Sequence, residues 1–179
     1  MHVKTKKLAI AGVTLALAMV FVLLATLINW NSLFFYIIGG FLIGAVIRLC
    51  EMKMAAGYFA ASSVLGFFLA GDKVEIFTFI FAEIYILGRE AVWMFISKDK
   101  TRSIRKVRIM YLVSRWLIFQ LMFVPVVIFM PSLLIAGKTS LKMQFFIWGI
   151  GQVFWYLADY CYSVFQKVFE TRFIKKYPF

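Results

Sequence analysis

The sequence predicts an all-α, polytopic membrane protein: one bundle of six transmembrane helices with both termini in the cytoplasm. Three observations predict it. Hydrophobic residues make up 64% of the 179-residue chain, against roughly 45–50% in a soluble globular domain. Charged residues are only 16% of the total, and they gather in short blocks between apolar runs of about the length that crosses a bilayer. Those blocks are mostly basic, with 20 Lys and Arg against 8 Asp and Glu, and they alternate along the chain as a positive-inside arrangement requires. Few prolines and no Ser-rich or Gln-rich tract leave little room for a disordered region or a soluble domain, so 1–179 is read as a single integral membrane domain.

The first span, 8–28, follows Lys4, Lys6 and Lys7. It is too long for the apolar core of a signal peptide, and its end, Leu27-Ile28-Asn29-Trp30, lacks a small-x-small cleavage pattern, so it is expected to stay attached. A polar turn over 29–32, with Trp30 of the interfacial kind, leads to a second span, 33–49, closed by Arg48, Glu51 and Lys53. The third span, 54–70, ends at Gly71-Asp72-Lys73, and the fourth, 74–96, carries Glu75, Glu83, Arg89 and Glu90. The stretch 97–108 is too charged to enter hydrocarbon and too short to fold alone, which makes it a basic cytoplasmic loop. A fifth span, 109–135, is long enough to tilt or bend, with Pro125 inside it and Pro131 near its end, and its outer part is expected to unwind. The sixth span, 144–165, precedes a basic tail, 166–179.

Orientation follows from the cations. With six spans, the N-terminal segment, the turn after the second span, the long loop and the tail share one side. Only Lys73, Lys138 and Lys142 lie on the other, while Arg89 and Arg115 sit inside helices. The basic side is the cytoplasm, in the plasma membrane of a cell. Flanking cations that sit against anionic lipid account for the net charge of +12 without a nucleic-acid partner, and no recognition motif accompanies them. Cys50 and Cys161 both fall near the cytoplasmic face and are expected as reduced thiols. The single histidine, His2, cannot build a His-based metal site. Neither a metal nor a cofactor is expected.

Helices approach closely in lipid only where side chains are small. The first span offers Ala9, Gly12 and Ala16, the second Gly40 and Gly44, the third Gly57, Ala61, Ser62, Gly66 and Ala70. These serve either packing within the chain or docking of another membrane subunit, the latter most naturally at Ala9, Gly12 and Ala16. In the sixth span Trp148, Gln152, Trp155, Asp159, Tyr162 and Gln166 recur at spacings of four and three, which puts them on one helix face. That face must look into the bundle or a wet cavity, because an ionisable group near mid-bilayer costs about 2.5–3.5 kcal/mol. Glu83 faces the same cost, and Glu90 lies two turns along the same face.

Arg89 and Arg115 lie at a depth where each can pair with Asp159 or Glu90, as a structural ion-pair cluster or by snorkelling to the interface. Glu83 has no cation at its own depth and is the better candidate for contact with a substrate or a proton. A ligand entering from outside would meet Asn29, Trp30 and Asn31, then Lys138, Gln144, Trp148, Gln152 and Trp155, whose aromatics and amides suit a flat heteroaromatic molecule. Trp30 and Trp148 also fit an interfacial aromatic belt. The chain has no Walker loop, no Gly-x-Ser-x-Gly elbow, no His-Glu-x-x-His pair and no Cys-x-x-Cys, so it is not read as an enzyme or as an ATPase in its own right.

A small, basic six-helix chain opening Met1-His2-Val3-Lys4-Thr5-Lys6-Lys7-Leu8-Ala9-Ile10-Ala11-Gly12 resembles the substrate-binding S components of energy-coupling factor (ECF) transporters. In that family alanines four apart on the first helix dock the transmembrane coupling subunit; here the pattern is degraded to Gly12 and Ala16, with Leu8 and Val20 at the flanking positions. The resemblance implies bacterial uptake of a vitamin-like small molecule, with a coupling subunit and two ATPases as partners beside the membrane lipids. In architecture alone the chain also resembles small cell-shape membrane proteins of the MreD type, which would make it a scaffold without a small-molecule substrate.

Overall fold

The computed structural model describes residues 2–98, 104–129 and 141–174, and these are helical almost throughout. Six α-helices follow one another: α1 His2–Leu27, α2 Ser32–Cys50, α3 Met52–Leu69, α4 Ile76–Ser97, α5 Ile104–Phe129 and α6 Leu141–Phe169. A 3-10 turn at Asn29–Asn31 joins α1 to α2, and a π turn at Glu170–Ile174 extends α6. In hydrocarbon each backbone N–H and C=O must be satisfied within its own segment, which is why runs rich in Phe, Val and Ile, poor helix formers in water, are helical here.

Four helices are long and apolar enough to cross a membrane: α1 over Thr5–Leu27, α2, α3, and α5 over Ile104–Ile128. That identifies a membrane protein. The other two have the length but not the apolarity, because α4 gathers Glu83, Arg89 and Glu90 in its middle and α6 is diluted by Gln144, Gln152, Asp159 and its Trp and Tyr residues. Helix ends depart from the apolar runs most where charged residues extend a helix, while α4 starts two residues later than its run, at Ile76. α1 takes in Lys6 and Lys7, and α5 begins at Ile104, so 104–108, read from its charge as loop, is helical. Lys and Arg are good helix formers, and their long stems let a helix continue past the hydrocarbon edge. α5 runs through Pro125 and stays helical to Phe129; Pro131 and the unwinding expected beyond it lie outside the described residues.

The chain divides inside α5 into two compact units, Met1–Tyr111 and Leu112–Phe179. In the first unit α2 is the central helix, packed on α1, α3 and α4, and every residue from Gly39 to Ile47 is buried. The buried residues of α1 are Ala11, Ala18, Met19, Val22 and Ala25, small side chains apart from Met19. Small side chains set the helix separation. The fully buried Phe79 of α4 lies against Gly39 of α2 and Gly66 of α3, where an added Cβ would stand 3.3 and 3.6 Å from its ring. At Gly40 an added Cβ would come within 2.8 Å of the Ala82 Cβ, so α2 and α4 touch almost backbone to backbone.

In the second unit, the 112–129 part of α5 and α6 meet through long side chains. An exception is Gly151 of α6, which accommodates the Phe123 ring; a Cβ there would overlap the ring edge.

Candidate functional site

Four groups of polar residues stand out, three of them among the helices and one at the exposed α3–α4 turn. The first is the carboxyl of Glu83, fully buried on α4. Ser62 of α3, also fully buried, places its Oγ 2.8 Å from both Glu83 Oε1 and Oε2. The same hydroxyl lies 3.0 Å from the Phe59 carbonyl one turn back. Tyr58, four residues before Ser62 on α3, donates its hydroxyl to the Thr14 carbonyl of α1 at 3.4 Å. Among the described residues no cation reaches Glu83.

The second group lies two turns along α4. Glu90, 3% exposed, accepts from Arg48 Nη2 of α2 at 3.2 Å. Arg89 turns to α5, where its Nε donates to the Tyr111 hydroxyl at 2.8 Å and its guanidinium lies over that ring; Trp93 packs on the other side of the contact, 4.9 Å from Tyr111 between ring centroids. Arg48 was read as a flanking cation of the second span, yet it reaches inward and takes Glu90.

The third group surrounds a cavity of about 360 Å³ lined by Ala25, Thr26, Tyr36, Gly71, Asp72 and Glu75. It lies at the end of the first unit formed by the tail of α1, the start of α2 and the α3–α4 turn. Local chemistry shapes that turn. The Lys73 ammonium donates to the Phe67 and Ala70 carbonyls at 2.6 and 2.8 Å, capping α3, and Asp72 Oδ1 accepts from the Val74 and Glu75 amides at 2.7 and 3.4 Å, starting α4. Because Lys73 is spent on α3, the Asp72 and Glu75 carboxylates line the cavity with no cation partner among the described residues. Thr26 accepts from the Gly71 amide at 3.4 Å and hydrogen-bonds the Tyr36 hydroxyl.

The fourth group joins α5 to α6. Gln152 Oε1 accepts from Trp116 Nε1 and from Gln120 Nε2, both at 3.1 Å, while Gln120 Oε1 accepts from Trp148 Nε1 at 3.2 Å. Trp155 stacks on Phe119, and one turn further Arg115 Nη1 meets Asp159 Oδ2 at 2.5 Å. Gln166 Nε2 donates to the Tyr162 hydroxyl at 2.8 Å. The polar face of α6 is engaged from Trp148 to Gln166, except that the buried Gln166 Oε1 has no hydrogen-bond partner among the described residues.

Glu83, Arg89 and Glu90 thus lie in the first unit, and Arg115, Trp148, Gln152, Trp155 and Asp159 in the second. Asn31 is exposed beside the fully exposed Trp30; Lys138 lies outside the described residues. On α1 Ala9, Gly12 and Ala16 are exposed, with nothing within 4 Å of a Cβ added at Gly12. The reading from sequence missed Tyr36, Thr26, Asp72 and Glu75 as one group, Ser62 as a polar partner, and Trp116 and Gln120. The last two were within reach, because Arg115, Trp116, Phe119 and Gln120 form the same kind of stripe on α5 that was recognised on α6. Among the described residues no three His, Cys, Asp or Glu side chains come together to hold a metal ion. No protein-family model matches this chain, and comparison with curated proteins and with solved structures finds none similar to it.

Proposed function

We propose that this protein is the membrane-embedded substrate-binding subunit of an energy-coupling factor type importer for a small vitamin-like molecule, with six spans, both termini in the cytoplasm, and ATP hydrolysis supplied by separate subunits. The observation that carries the reading is the polar cavity in the first unit. At about 360 Å³ it is at the small end of ligand sites, and in the proposed orientation the α3–α4 turn that lines it faces outward. Two unneutralised carboxylates, a phenol and a threonine hydroxyl suit a ligand rich in N–H donors or carrying positive charge. The exposed small-residue face of α1, with Ala9, Gly12 and Ala16, is the surface on which a coupling subunit would dock.

The second reading, an MreD-like scaffold, is favoured by one specific feature. Trp148, Gln152 and Trp155, expected to touch ligand, are engaged with α5, and Glu83 is fully buried with the Ser62 hydroxyl against its carboxyl. A scaffold needs such groups only to hold its helices together. Affinity purification from the native membrane in mild detergent separates the readings, with mass spectrometry of co-purifying proteins and of small molecules released on denaturation. The transport reading expects a coupling subunit with two ATPases, or a stoichiometric metabolite lost in Asp72→Asn and Glu75→Gln variants. Wall-synthesis partners without a bound metabolite would replace it with the scaffold.

A further inference from the structure

We infer that Glu83 is a proton-binding site: it is held as the neutral acid, hydrogen-bonded to Ser62, and its proton ties α3 to α4. Counting protons leads there. A serine hydroxyl has one proton to donate, and Ser62 has three acceptors within reach, the Phe59 carbonyl at 3.0 Å and both Glu83 oxygens at 2.8 Å. If that proton goes to Phe59, as in the common back-bond to the preceding helical turn, the bond to Glu83 needs a proton from the carboxyl itself. If it goes to Glu83 instead, an ionised carboxylate with no exposed surface is left with one neutral hydrogen bond and no cation, which a low-dielectric interior does not sustain.

The surroundings offer nothing to change that balance. α3 brings Tyr58 as the titratable group beside the carboxyl, with its hydroxyl committed to Thr14 of α1. From α2 comes the Gly40 backbone, and between Tyr36 and Arg48 that helix has no ionisable side chain. Tyr36 belongs to the cavity at the α3–α4 turn and Arg48 to Glu90. α1 has no ionisable side chain between Leu8 and Leu27. On α4 itself the next charges, Arg89 and Glu90, are engaged with Tyr111 and Arg48. No room for a larger cation exists between Ser62 and Glu83. Release of the proton therefore leaves a carboxylate that must reach water, and the route is separation of α3 from α4.

The test is infrared spectroscopy of the full chain in lipid nanodiscs. The expected result is a protonated-carboxyl stretch above the amide I band, absent from Glu83→Gln and displaced in Ser62→Ala. The Ser62 variant leaves the carboxyl in place and so reads the bond even if the Glu83 variant folds poorly. Loss of carboxylate bands alone on Glu83→Gln, or a protonated band that Ser62→Ala leaves unmoved, would overturn the assignment. Raising the pH until the band converts to carboxylate stretches should lower the protection of α3 backbone amides, after correction for the intrinsic rise of exchange with pH, and should not do so in Glu83→Gln; conversion with unchanged protection refutes the tie between α3 and α4. None of these outcomes depends on whether the protein carries a ligand.

Discussion

Glu51 stands alone between α2 and α3 at φ 80 and ψ 161, a region of backbone space essentially reserved for glycine. Direct chaining of two antiparallel helices requires that residue, because Cys50 still closes α2 and Met52 already opens α3. The side chain earns its place through an ion pair with Lys7 of α1. Removing the pair and relieving the strain are separable: Glu51→Gly should melt above Glu51→Ala, which loses the carboxylate and keeps the strain, in thermal denaturation of the purified protein. The Lys7 ammonium, by hydrogen bond and charge, holds the Glu51 carboxyl below the usual carboxylate range. A depressed folded value means that the contribution is complete above the unfolded value and lost as pH falls through the folded one. The melting temperatures of wild type and Lys7→Gln should therefore differ at neutral pH and converge only in acid. Gly40 offers a second contrast. Alanine there meets the Ala82 Cβ at 2.8 Å and the Phe79 carbonyl oxygen at 3.4 Å, backbone and a short stub that cannot turn aside. Gly40→Ala should cost about 1–3 kcal/mol, whereas Gly12→Ala, with open space around it, should leave stability unchanged or slightly raised.

Helices five and six show what one dimension of sequence can and cannot reveal. The polar stripe of α6 was readable because it depends only on spacing along one helix. The stripe on α5 is readable in the same way, but not that the two stripes meet, since which faces meet depends on the rotation and register of two helices. The same limit hid Ser62, which looks like one more small residue of α3 until α4 is placed beside it. It also hid the cavity, whose lining comes from three separate stretches and whose acidity depends on Lys73 turning to α3. Where two helices carry matched polar faces, their pairing can be measured. Gln120 and Gln152 should show a coupling of about 0.6–1.7 kcal/mol in a double-mutant cycle to leucine, the range for hydrogen bonds between membrane helices. Arg115 and Asp159 should behave differently, with both side chains largely buried. Arg115→Met removes the cation that meets the largely buried Asp159 carboxylate, a loss of about 3–5 kcal/mol, and Arg115→Met with Asp159→Leu should recover most of it. If the double variant is no more stable than the single, the pair is not what satisfies Asp159.

At the scale of the whole molecule, the apolar runs placed the six helices to within a few residues, and the number of membrane crossings is a separate question because α4 and α6 are too polar to be recognised by composition. Counting only the four apolar helices keeps both termini on one side, as six spans do, so the termini cannot distinguish the two arrangements. The connections can. With six spans 97–108 is cytoplasmic; with four, α4 does not cross, and Lys98, Lys100, Arg102, Arg105, Lys106 and Arg108 would lie outside, against the positive-inside rule. Energetics agree with six. A lone α4 would carry three ionisable side chains, at about 2.5–3.5 kcal/mol each near the centre, but in the fold Arg48 of α2 meets Glu90 and Ser62 of α3 meets Glu83. Insertion of α4 together with its neighbours removes most of that cost. Alkaline phosphatase, active only outside the cytoplasm, should therefore be inactive when fused after residue 102 and active when fused after residue 138. The reverse pair of activities would establish four crossings and put α4 and α6 at the membrane surface, with the α3–α4 turn still on the outer side.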